Sequence, residues 1–232
     1  MRKPLAFITG VAGFAGSHLA EELLNHGYRV AGTLLRGEPV DNIRPRLDDI
    51  DLVEADILSE QKLNRVIGKF QPDYIFHLAA FSSVGRSFRN ERLVYRVNFY
   101  GTLNVLQAAL TVRKLRKFVF VSSSDCYGRF TPATRALTED QPFNPVSPYG
   151  VSKAAGEYLC RSYVKWRELP VTIARSFNHS GPRQSEHFVI PSFARQIAAI
   201  EKGRAEPVML VGDLSVRRDI SDVRDIVCGY RL

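Results

Sequence analysis

Residues 5–25 read LAFITGVAGFAGSHLAEELLN. The first five, Leu5–Thr9, form a short apolar run, which is typical of a strand buried on both faces of a sheet. The next segment, Gly10–Gly16, has G-x-x-G-x-x-G spacing, and the amphipathic residues Ser17–Asn25 predict a helix. Glycines allow the backbone to turn tightly and to approach a pyrophosphate group, which then rests on the helix N-terminus. The stretch therefore predicts a dinucleotide-binding loop, with a glycine-rich turn that binds no ligand as the alternative.

The strand that follows this helix bears on which dinucleotide binds. The residues Tyr28–Leu34 predict a second strand, which completes a βαβ unit. An acidic residue near the end of such a strand holds the ribose 2′-hydroxyl of NAD, whereas a basic residue accommodates the 2′-phosphate of NADP. Here Leu34 is followed by Leu35 and Arg36, and no acidic residue occurs before Glu38. The sequence therefore favours NADP over NAD, unless Arg36 is an ordinary loop cation.

Four further apolar runs alternate with helical patterns. They predict strands at Ile50–Val53, Tyr74–Ala80, Phe118–Val121 and Val171–Ala174, and the longest helix between them covers Arg92–Thr111. Strands that alternate with helices in this way indicate a parallel sheet with helices on both faces. The predicted fold class is therefore α/β, a Rossmann-type doubly wound parallel sheet.

Beyond this sheet the alternation loosens. A helix at Pro191–Ile200, a short strand at Val208–Val211 and the segment Arg217–Ile220 predict a small cap built on the sheet, and Val223–Leu232 predicts a further helix. We therefore expect a dinucleotide-binding domain over residues 1–176 and cap segments over residues 177–232. The segment Arg129–Val146, which is rich in proline and polar residues, is predicted to be a long surface loop.

Composition limits the class of protein. The chain has 232 residues and 45% hydrophobic content, which is enough for a large core. No apolar run approaches the length of a membrane span, and the three cysteines lack metal-ligand spacing, so we expect no membrane, no bound metal and the reducing cytoplasm. The net charge of +8 favours an anionic partner. An anionic cofactor and substrate account for this charge, and nucleic acid is not expected; the basic cluster at 113–117 is interpreted as a solvated helix end.

Two polar residues stand within apolar patterns. His77 lies in the predicted fourth strand, where a buried and hydrogen-bonded histidine is more common than a catalytic one. Asn98 lies on the inward face of the long predicted helix, where an amide is costly unless it is hydrogen-bonded. We predict that Asn98 holds backbone groups or a water molecule near the site.

The candidate catalytic pair is Tyr149 and Lys153, in the segment SPYGVSK at 147–153. Residues four apart lie on one face of a helix, and Ser147 with Pro148 forms a good helix start. An ammonium group and a helix N-terminus both favour a phenolate, so Lys153 is expected to lower the Tyr149 pKa toward neutrality. An ordinary amphipathic helix is the alternative.

A polar segment, SSSDCYG at 122–128, follows the predicted fifth strand. Ligands of open parallel sheets bind beyond the carboxyl ends of the strands. A serine in this position can donate a hydrogen bond to a carbonyl oxygen that Tyr149 protonates. The alternative is a plain serine-rich turn.

Together these residues resemble the extended short-chain dehydrogenase/reductase family, of the NAD-dependent epimerase/dehydratase type. The resemblance rests on the glycine motif, on the set Ser123, Tyr149 and Lys153, and on Arg218-Asp219 with Asp222-Val223, and it covers essentially the whole chain. The loops at 175–182 and 188–194 look most like those of GDP-4-keto-6-deoxy-D-mannose reductases, and next like those of GDP-mannose 4,6-dehydratases.

The resemblance implies a role for each site residue. Ser123 and Tyr149 bind and protonate the sugar C4 oxygen, and Lys153 holds the nicotinamide ribose. The implied cofactor residues are Gly10, Gly13, Phe14, Gly16, Arg36, Asp56, Ile57, Leu78, Ala79, Ala80, Tyr149 and Lys153. The implied substrate residues are Ser124, Asn178 and Arg218, the last near the diphosphate of a GDP-linked sugar. A homodimer through the two long helices is also implied.

Two departures from the family pattern bear on function. The dehydratases have a Glu where this chain has Asp125, which is a candidate catalytic residue one methylene shorter. Family members also extend beyond the length of this chain, so the cap is expected to be incomplete. The sequence predicts an NADP-dependent reductase of a GDP-4-keto-6-deoxy-hexose. The alternatives are a GDP-mannose 4,6-dehydratase, a nucleotide-sugar epimerase, or a dinucleotide-binding protein without turnover.

Overall fold

The computed structural model describes residues 2–129 and 136–232. Six parallel strands form one sheet in the order β3-β2-β1-β4-β5-β6. Their bounds are Leu5–Thr9 for β1, Arg29–Leu34 for β2, Ile50–Glu54 for β3, Tyr74–His77 for β4, Lys117–Val121 for β5 and Val171–Ala174 for β6. Two further strands, β7 (Asn178–Ser180) and β8 (Ile220–Asp222), pair in parallel beside this sheet.

Helices connect the strands. They are α1 (Phe14–Asn25), α2 (Glu60–Phe70), α3 (Val84–Ser87), α4 (Glu91–Tyr95), α5 (Gly101–Ala109), α6 (Pro148–Arg167), α7 (Val189–Glu201) and α8 (Val223–Arg231). A π-helical turn, Arg96–Tyr100, joins α4 to α5, and 3-10 segments cover Asp41–Asp49 and Ser124–Tyr127. This architecture confirms the predicted Rossmann-type doubly wound sheet.

Both faces of the sheet are covered because alternate residues of each strand point to opposite sides. Phe7, Phe118 and Phe120 pack on one face in a cluster that includes residues of α2, α5 and α6. Ala6 and Ile8 pack on the other face in a cluster that includes residues of α1 and α8. This two-sided burial explains the continuous apolar strand sequences.

Some predicted boundaries differ from the structure. Helix α1 begins three residues before Ser17, since Gly13 occupies the N-cap position. The fourth strand ends at His77, and the residues up to Ala80 leave the sheet to line a cavity. The predicted strand at Val208–Val211 is wrong, because these residues are largely exposed and the main chain of Leu210 bonds to the side chain of Gln196. The predicted loop at 129–146 has neither helix nor strand over 136–146, and residues 130–135 lie outside the described part.

The described residues lack two features. No helix among them is both long and apolar enough to cross a membrane. Within the same two ranges, no group of three or more His, Cys, Asp or Glu side chains could hold a metal ion.

A buried polar chain runs through the sheet at His77. Thr102 Oγ1 donates to the carbonyl of Asn98 at 2.6 Å, so it accepts from Nε2 of His77 at 2.9 Å. Nδ1 of His77 then accepts from Oγ1 of Thr9 at 2.8 Å, and the main-chain N–H of Ala79 donates to that same Oγ1 at 3.2 Å. His77 is therefore a neutral histidine with both ring nitrogens paired, which confirms the prediction of a satisfied buried residue.

Asn98 extends this chain toward α6. Its Oδ1 accepts from the N–H of Phe81 at 2.7 Å, and its Nδ2 donates to the carbonyl of Phe81 and to Oγ of Ser152. Ser152 Oγ in turn donates to the carbonyl of Tyr149 at 2.7 Å. The prediction that Asn98 holds backbone near the site is confirmed, and the network joins β1, β4 and α6.

The neutral state of His77 predicts a pH dependence of stability. Burial and the nearby Lys153 charge lower the His77 pKa from 6.5 to about 3. Between these values the unfolded chain binds the extra proton, so stability is lost as pH falls from 6.5 toward 3. The loss is at most about 1.4 kcal/mol per pH unit. We expect the stability advantage of the wild type over His77→Gln, measured by urea unfolding, to shrink between pH 7 and pH 5. The other histidines are common to both proteins and cancel, so an advantage that does not change with pH would contradict this prediction.

Candidate active site

One large cavity of about 1360 Å³ opens at the carboxyl ends of the strands, as expected for an open parallel sheet. It brings together most of the predicted site residues. The predicted residues on its wall are Gly10, Gly13, Phe14, Gly16, Asp56, Ile57, Leu78, Ala79, Ala80, Ser123, Asp125, Tyr149, Lys153, Asn178 and Arg218. Arg36 and Ser124 are not on the wall.

The glycine loop fits a dinucleotide on steric grounds. Gly10 has a φ of +73°, and a Cβ there would lie 3.0 Å from the Cα of Ala79. A Cβ on Gly16 would lie 2.1 Å from the carbonyl oxygen of Gly10. Gly13 caps α1, so the N-terminus of a twelve-residue helix adjoins the cavity. The loop thus keeps space and backbone donors where a pyrophosphate would bind.

The far end of the cavity suits an adenosine. Asp56 and Ile57 line it after β3, beside the end of β2. Arg36 lies exposed in the loop after β2, whereas Glu38 lines the cavity and its Oε2 accepts from the N–H of Leu35 at 2.7 Å. The role of Arg36 stays a prediction. From the sequence, Glu38 is identified only as the first acidic residue after β2.

The start of α6 positions the candidate catalytic pair, Tyr149 and Lys153. Ser147 caps the helix by accepting from the N–H of Gly150 at 3.0 Å, and Pro148 occupies its first turn. Tyr149 and Lys153 are both buried on one face. Nζ of Lys153 donates to the carbonyl of Val121 at 2.8 Å and lies 5.9 Å from the centroid of the Tyr149 ring. The helix start predicted from the sequence is therefore present.

The protonation of this pair differs from the sequence-based expectation. Burial raises the pKa of Tyr149 above its ordinary value, and the Ser123 hydroxyl offsets only part of this rise. Burial also lowers the pKa of Lys153 to about 8. Desolvation exceeds the stabilisation of a phenolate by the ammonium group, since both groups are removed from water. Tyr149 is therefore a protonated phenol at neutral pH.

Ser123 and Asp125 form a tight turn beside Tyr149. Oγ of Ser123 donates to Oδ2 of Asp125 at 3.1 Å and accepts from the Asp125 N–H at 3.2 Å. The Asp125 carboxylate is thus tied to the serine hydroxyl. The N–H of Ser124 donates to the carbonyl of Ser176 at 3.0 Å, which fixes the turn to the residues after β6.

Two of the three predicted substrate residues lie on the paired strands or just before them, whereas Ser124 begins the 3-10 segment after β5. Asn178 begins β7, and Arg218 precedes β8; both line the cavity. His179 stacks on Phe14 with ring centroids 5.9 Å apart. Phe14 lies beside Gly13, so this contact joins β7 to the glycine loop. Sequence reasoning missed the His179 contact, since no local pattern relates it to Phe14.

A second omission is the buried pair of Glu157 and Arg175. Glu157 is fully buried, and both oxygens of its carboxylate bind the Arg175 guanidinium at 2.8 Å. One signal was available, because Glu157 is four residues after Lys153 and so shares its helical face.

Comparisons with known proteins agree with this geometry. Residues 7–232 match the family model described as GDP-mannose 4,6 dehydratase. The chain is 36% identical to the GDP-6-deoxy-D-mannose reductase of Pseudomonas aeruginosa, over 97% of this chain and 68% of that protein. It is 33% identical to a GDP-mannose 4,6-dehydratase of Vibrio cholerae, over 98% of this chain and 63% of that protein. The solved structure of RMD from Pseudomonas aeruginosa complexed with NADPH superposes with a TM-score of 0.83 at 34% identity, covering 98% of this chain and 70% of that one. The chain thus spans about two thirds of the length of these relatives.

The glycine contacts predict the effect of a single methyl group. In Gly16→Ala the new Cβ overlaps the Gly10 carbonyl, so the loop or α1 must shift at a cost of about 1–3 kcal/mol. We expect NADPH affinity, measured by fluorescence titration, to fall by at least about tenfold, which corresponds to about 1.4 kcal/mol. Gly229→Ala is the matched control, because a Cβ there has no neighbour within 4 Å. Wild-type affinity in Gly16→Ala would contradict the proposed cradle.

Proposed function

The chain belongs to the GDP-mannose 4,6 dehydratase family, within the extended short-chain dehydrogenases/reductases, and on this basis we propose that it is an NADP-dependent reductase of a GDP-4-keto-6-deoxy-hexose. The product is the corresponding GDP-6-deoxy-hexose. The similarity to the Pseudomonas reductase supports this choice within the family. The polar residues on the cavity wall, Tyr149 above all, also support this choice.

The observation that carries the proposal is the position of Tyr149, a buried phenol on the cavity wall together with Ser123 and Lys153. Reduction of a ketone places a proton on the oxygen as the carbon is reduced, so a ketone reductase starts from a proton donor. Enzymes that first oxidise a C4 alcohol start instead from a base. Burial raises the Tyr149 pKa, and the phenol lies on the cavity wall with its proton in place. Tyr149 is thus placed to donate the proton that reduction of a ketone requires.

The residues of the chain divide the work. When the substrate binds, the Ser123 hydroxyl turns away from Asp125, to which it donates in this structure, and donates instead to the C4 oxygen, and Tyr149 transfers its proton to that oxygen. NADPH, when bound, supplies the hydride to the C4 carbon. The Lys153 ammonium group has three N–H donors. One of them donates to the carbonyl of Val121, and the others are left to donate to the nicotinamide ribose.

The cofactor is held along the strand ends. The glycine loop binds the pyrophosphate, Asp56 and Ile57 contact the adenosine, and Arg36 turns from the exposed loop onto the 2′-phosphate. The NADPH complex of the similar Pseudomonas structure supports NADP as the dinucleotide.

The remaining assignments belong to the same proposal. Ser124, Asn178 and Arg218 contact the GDP-linked sugar. Residues 177–232 act as cap segments on a dinucleotide-binding domain of residues 1–176, except that α8 packs with α1 on one face of the sheet and so adds to the core of that domain. Exposed apolar side chains on α4 and α6, among them Tyr95 and Trp166, support a homodimer through the two long helical segments. The unpaired cysteines suit a cytoplasmic enzyme.

The second candidate function is the GDP-mannose 4,6-dehydratase. It is favoured by the matching family model and by the Asp125 carboxyl group on the cavity wall. Dehydration across C5 and C6 needs a base for the C5 proton and an acid for the C6 hydroxyl. The Asp125 side chain is one methylene shorter than the Glu of the dehydratases, and in this structure its carboxylate accepts a hydrogen bond from Ser123. A displacement of about 1 Å from the reacting atoms can cost on the order of a hundredfold in rate, so this geometry favours the reductase.

Product analysis tests the two functions. We expect the protein to oxidise NADPH with GDP-4-keto-6-deoxy-mannose, and to leave GDP-mannose unchanged when the products are analysed by NMR. Asp125→Asn should keep much of the reduction, since no step of it uses the carboxylate. Formation of the 4-keto-6-deoxy sugar from GDP-mannose, with its loss in Asp125→Asn, would instead assign a dehydratase.

The proton donor is tested by removing one hydroxyl. Tyr149→Phe should lower kcat by about a hundredfold or more, the usual scale of a positioned general acid, and should leave the Kd of NADPH nearly unchanged. Tyr158→Phe is the matched control, because Tyr158 lies exposed on the same helix. Normal turnover by Tyr149→Phe would refute the assignment.

The dinucleotide preference is tested at Arg36. Arg36→Ala should remove most of the preference for NADPH over NADH, because the contact to a 2′-phosphate is charge-assisted. Arg44→Ala removes an exposed cation of the neighbouring 3-10 segment and controls for net charge. Calorimetric titration that finds tighter binding of NADH to the wild type would overturn the NADP assignment.

A further inference from the structure

We propose that Glu157 and Arg175 are positioning residues that set Ser123 against Tyr149 and Lys153. They touch neither the substrate nor the cofactor, and they act through the backbone and side chains around the catalytic groups. The kinetic test of this inference rests on the proposed function. The NMR test depends only on the geometry of this chain.

Glu157 is the link on α6. It follows Lys153 by one helical turn and Tyr149 by two, so the three side chains share a face. Its carboxylate is fully buried. Oε1 accepts from Oγ of Ser122 at 2.5 Å and from Nε of Arg175 at 2.8 Å, and Oε2 accepts from Nη2 of Arg175 at 2.8 Å. The helix that carries the catalytic pair is thereby bound to the residue that precedes Ser123.

Arg175 is the link at the end of β6. Its Nε and Nη2 bind Glu157, and its Nη1 donates to the hydroxyl of Tyr127 at 2.6 Å and to the carbonyl of Glu139 at 3.0 Å. The guanidinium carbon lies 5.0 Å from the centroid of the Tyr127 ring and 4.9 Å from that of Phe143. The hydrogen bonds to Glu157 raise the pKa of Arg175 further, so the guanidinium remains charged. One side chain thus fixes the 3-10 turn containing Asp125 and the segment that leads into α6.

The contacts converge on the backbone around Ser123. The N–H of Ser122 donates to the carbonyl of Ala174 at 2.8 Å, and the N–H of Ser124 donates to that of Ser176 at 3.0 Å. Ala174 and Ser176 are the two neighbours of Arg175. The residues on either side of Ser123 are therefore held by the residues on either side of Arg175. The ion pair closes this arrangement against α6.

The effect of an apolar replacement on stability and on activity distinguishes a pair that positions the site from a pair that only stabilises the fold. Removing two charges from water is costly, and well-packed apolar residues in place of a buried ion pair are often equally stabilising. An apolar pair cannot, however, accept a hydrogen bond from the Ser122 hydroxyl or donate one to the Tyr127 hydroxyl. If the pair only braces the fold, an apolar replacement keeps activity whenever it keeps stability. If it positions the site, activity falls while stability is kept.

The experiment compares three variants with the wild type. The double variant Glu157→Met/Arg175→Met replaces the ion pair with two apolar side chains, and Ser122→Ala removes only the hydroxyl between Glu157 and the strand end. Arg161→Gln is the matched control, since Arg161 approaches Glu157 at 3.9 Å from the exposed side of α6. Each protein is measured for its urea midpoint, its Kd for NADPH, and its kcat and KM for reduction. The Tyr149 signal in ζ-¹³C-tyrosine NMR, assigned with Tyr149→Phe, reports the environment of the phenol without any substrate.

We expect the double variant to lose kcat on the order of a hundredfold, the scale of a misplaced reacting group. Its KM and its Kd for NADPH should stay within about threefold, which separates a transition-state effect from lost binding. Its Tyr149 signal should move, and Arg161→Gln should change none of these quantities.

A folded double variant with wild-type kcat and an unmoved Tyr149 signal would overturn the proposal. If the double variant does not fold, Ser122→Ala decides: a moved signal with lower kcat supports the proposal, and wild-type values for both refute it. If the wild type reduces no 4-keto sugar, the proposed function fails, and the Tyr149 signal alone decides the positioning role.

Discussion

The close packing of α6 on β5 is the constraint on which the site depends. A Cβ on Gly156 would lie 2.6 Å from the ring of Phe120, so the helix can approach the strand only because this position is glycine. That approach brings Nζ of Lys153 to the carbonyl of Val121 and to 5.3 Å from the centroid of the Phe120 ring. The catalytic pair is buried as a consequence, and burial rather than charge then decides its protonation.

Two polar systems hold this buried helix in register. The first runs from Thr9 through His77 and Asn98 to the carbonyl of Tyr149, and it ties α6 to the strands that carry the glycine loop. The second is the Glu157 and Arg175 pair, which ties α6 to the ends of β5 and β6. Both systems use buried groups that are costly unless they are paired, so each favours one arrangement of the cofactor and catalytic ends of the cavity.

The sequence predicted those parts of the molecule that follow from local patterns. The six strands, the glycine loop and the Ser147 helix start each depend on residues close together in the chain. Long-range effects were less accessible. The raised pKa of Tyr149 depends on how deeply α6 packs, and the absence of a strand at Val208–Val211 depends on whether a partner strand exists. Glu157 and Arg175 are eighteen residues apart, and although Glu157 shares a helical face with Lys153, no local pattern identifies Arg175 as its partner.

The central claim is that the chain reduces a C4 ketone with a hydride taken from NADPH and a proton held by Tyr149. The most direct measurement uses NADPH that carries deuterium at the transferable C4 position of its nicotinamide. After reaction with GDP-4-keto-6-deoxy-mannose, the sugar product is analysed by NMR. The account predicts one deuterium at C4 of the hexose and an equal amount of oxidised NADP. A sugar product without deuterium, or turnover without net oxidation of NADPH, would contradict it.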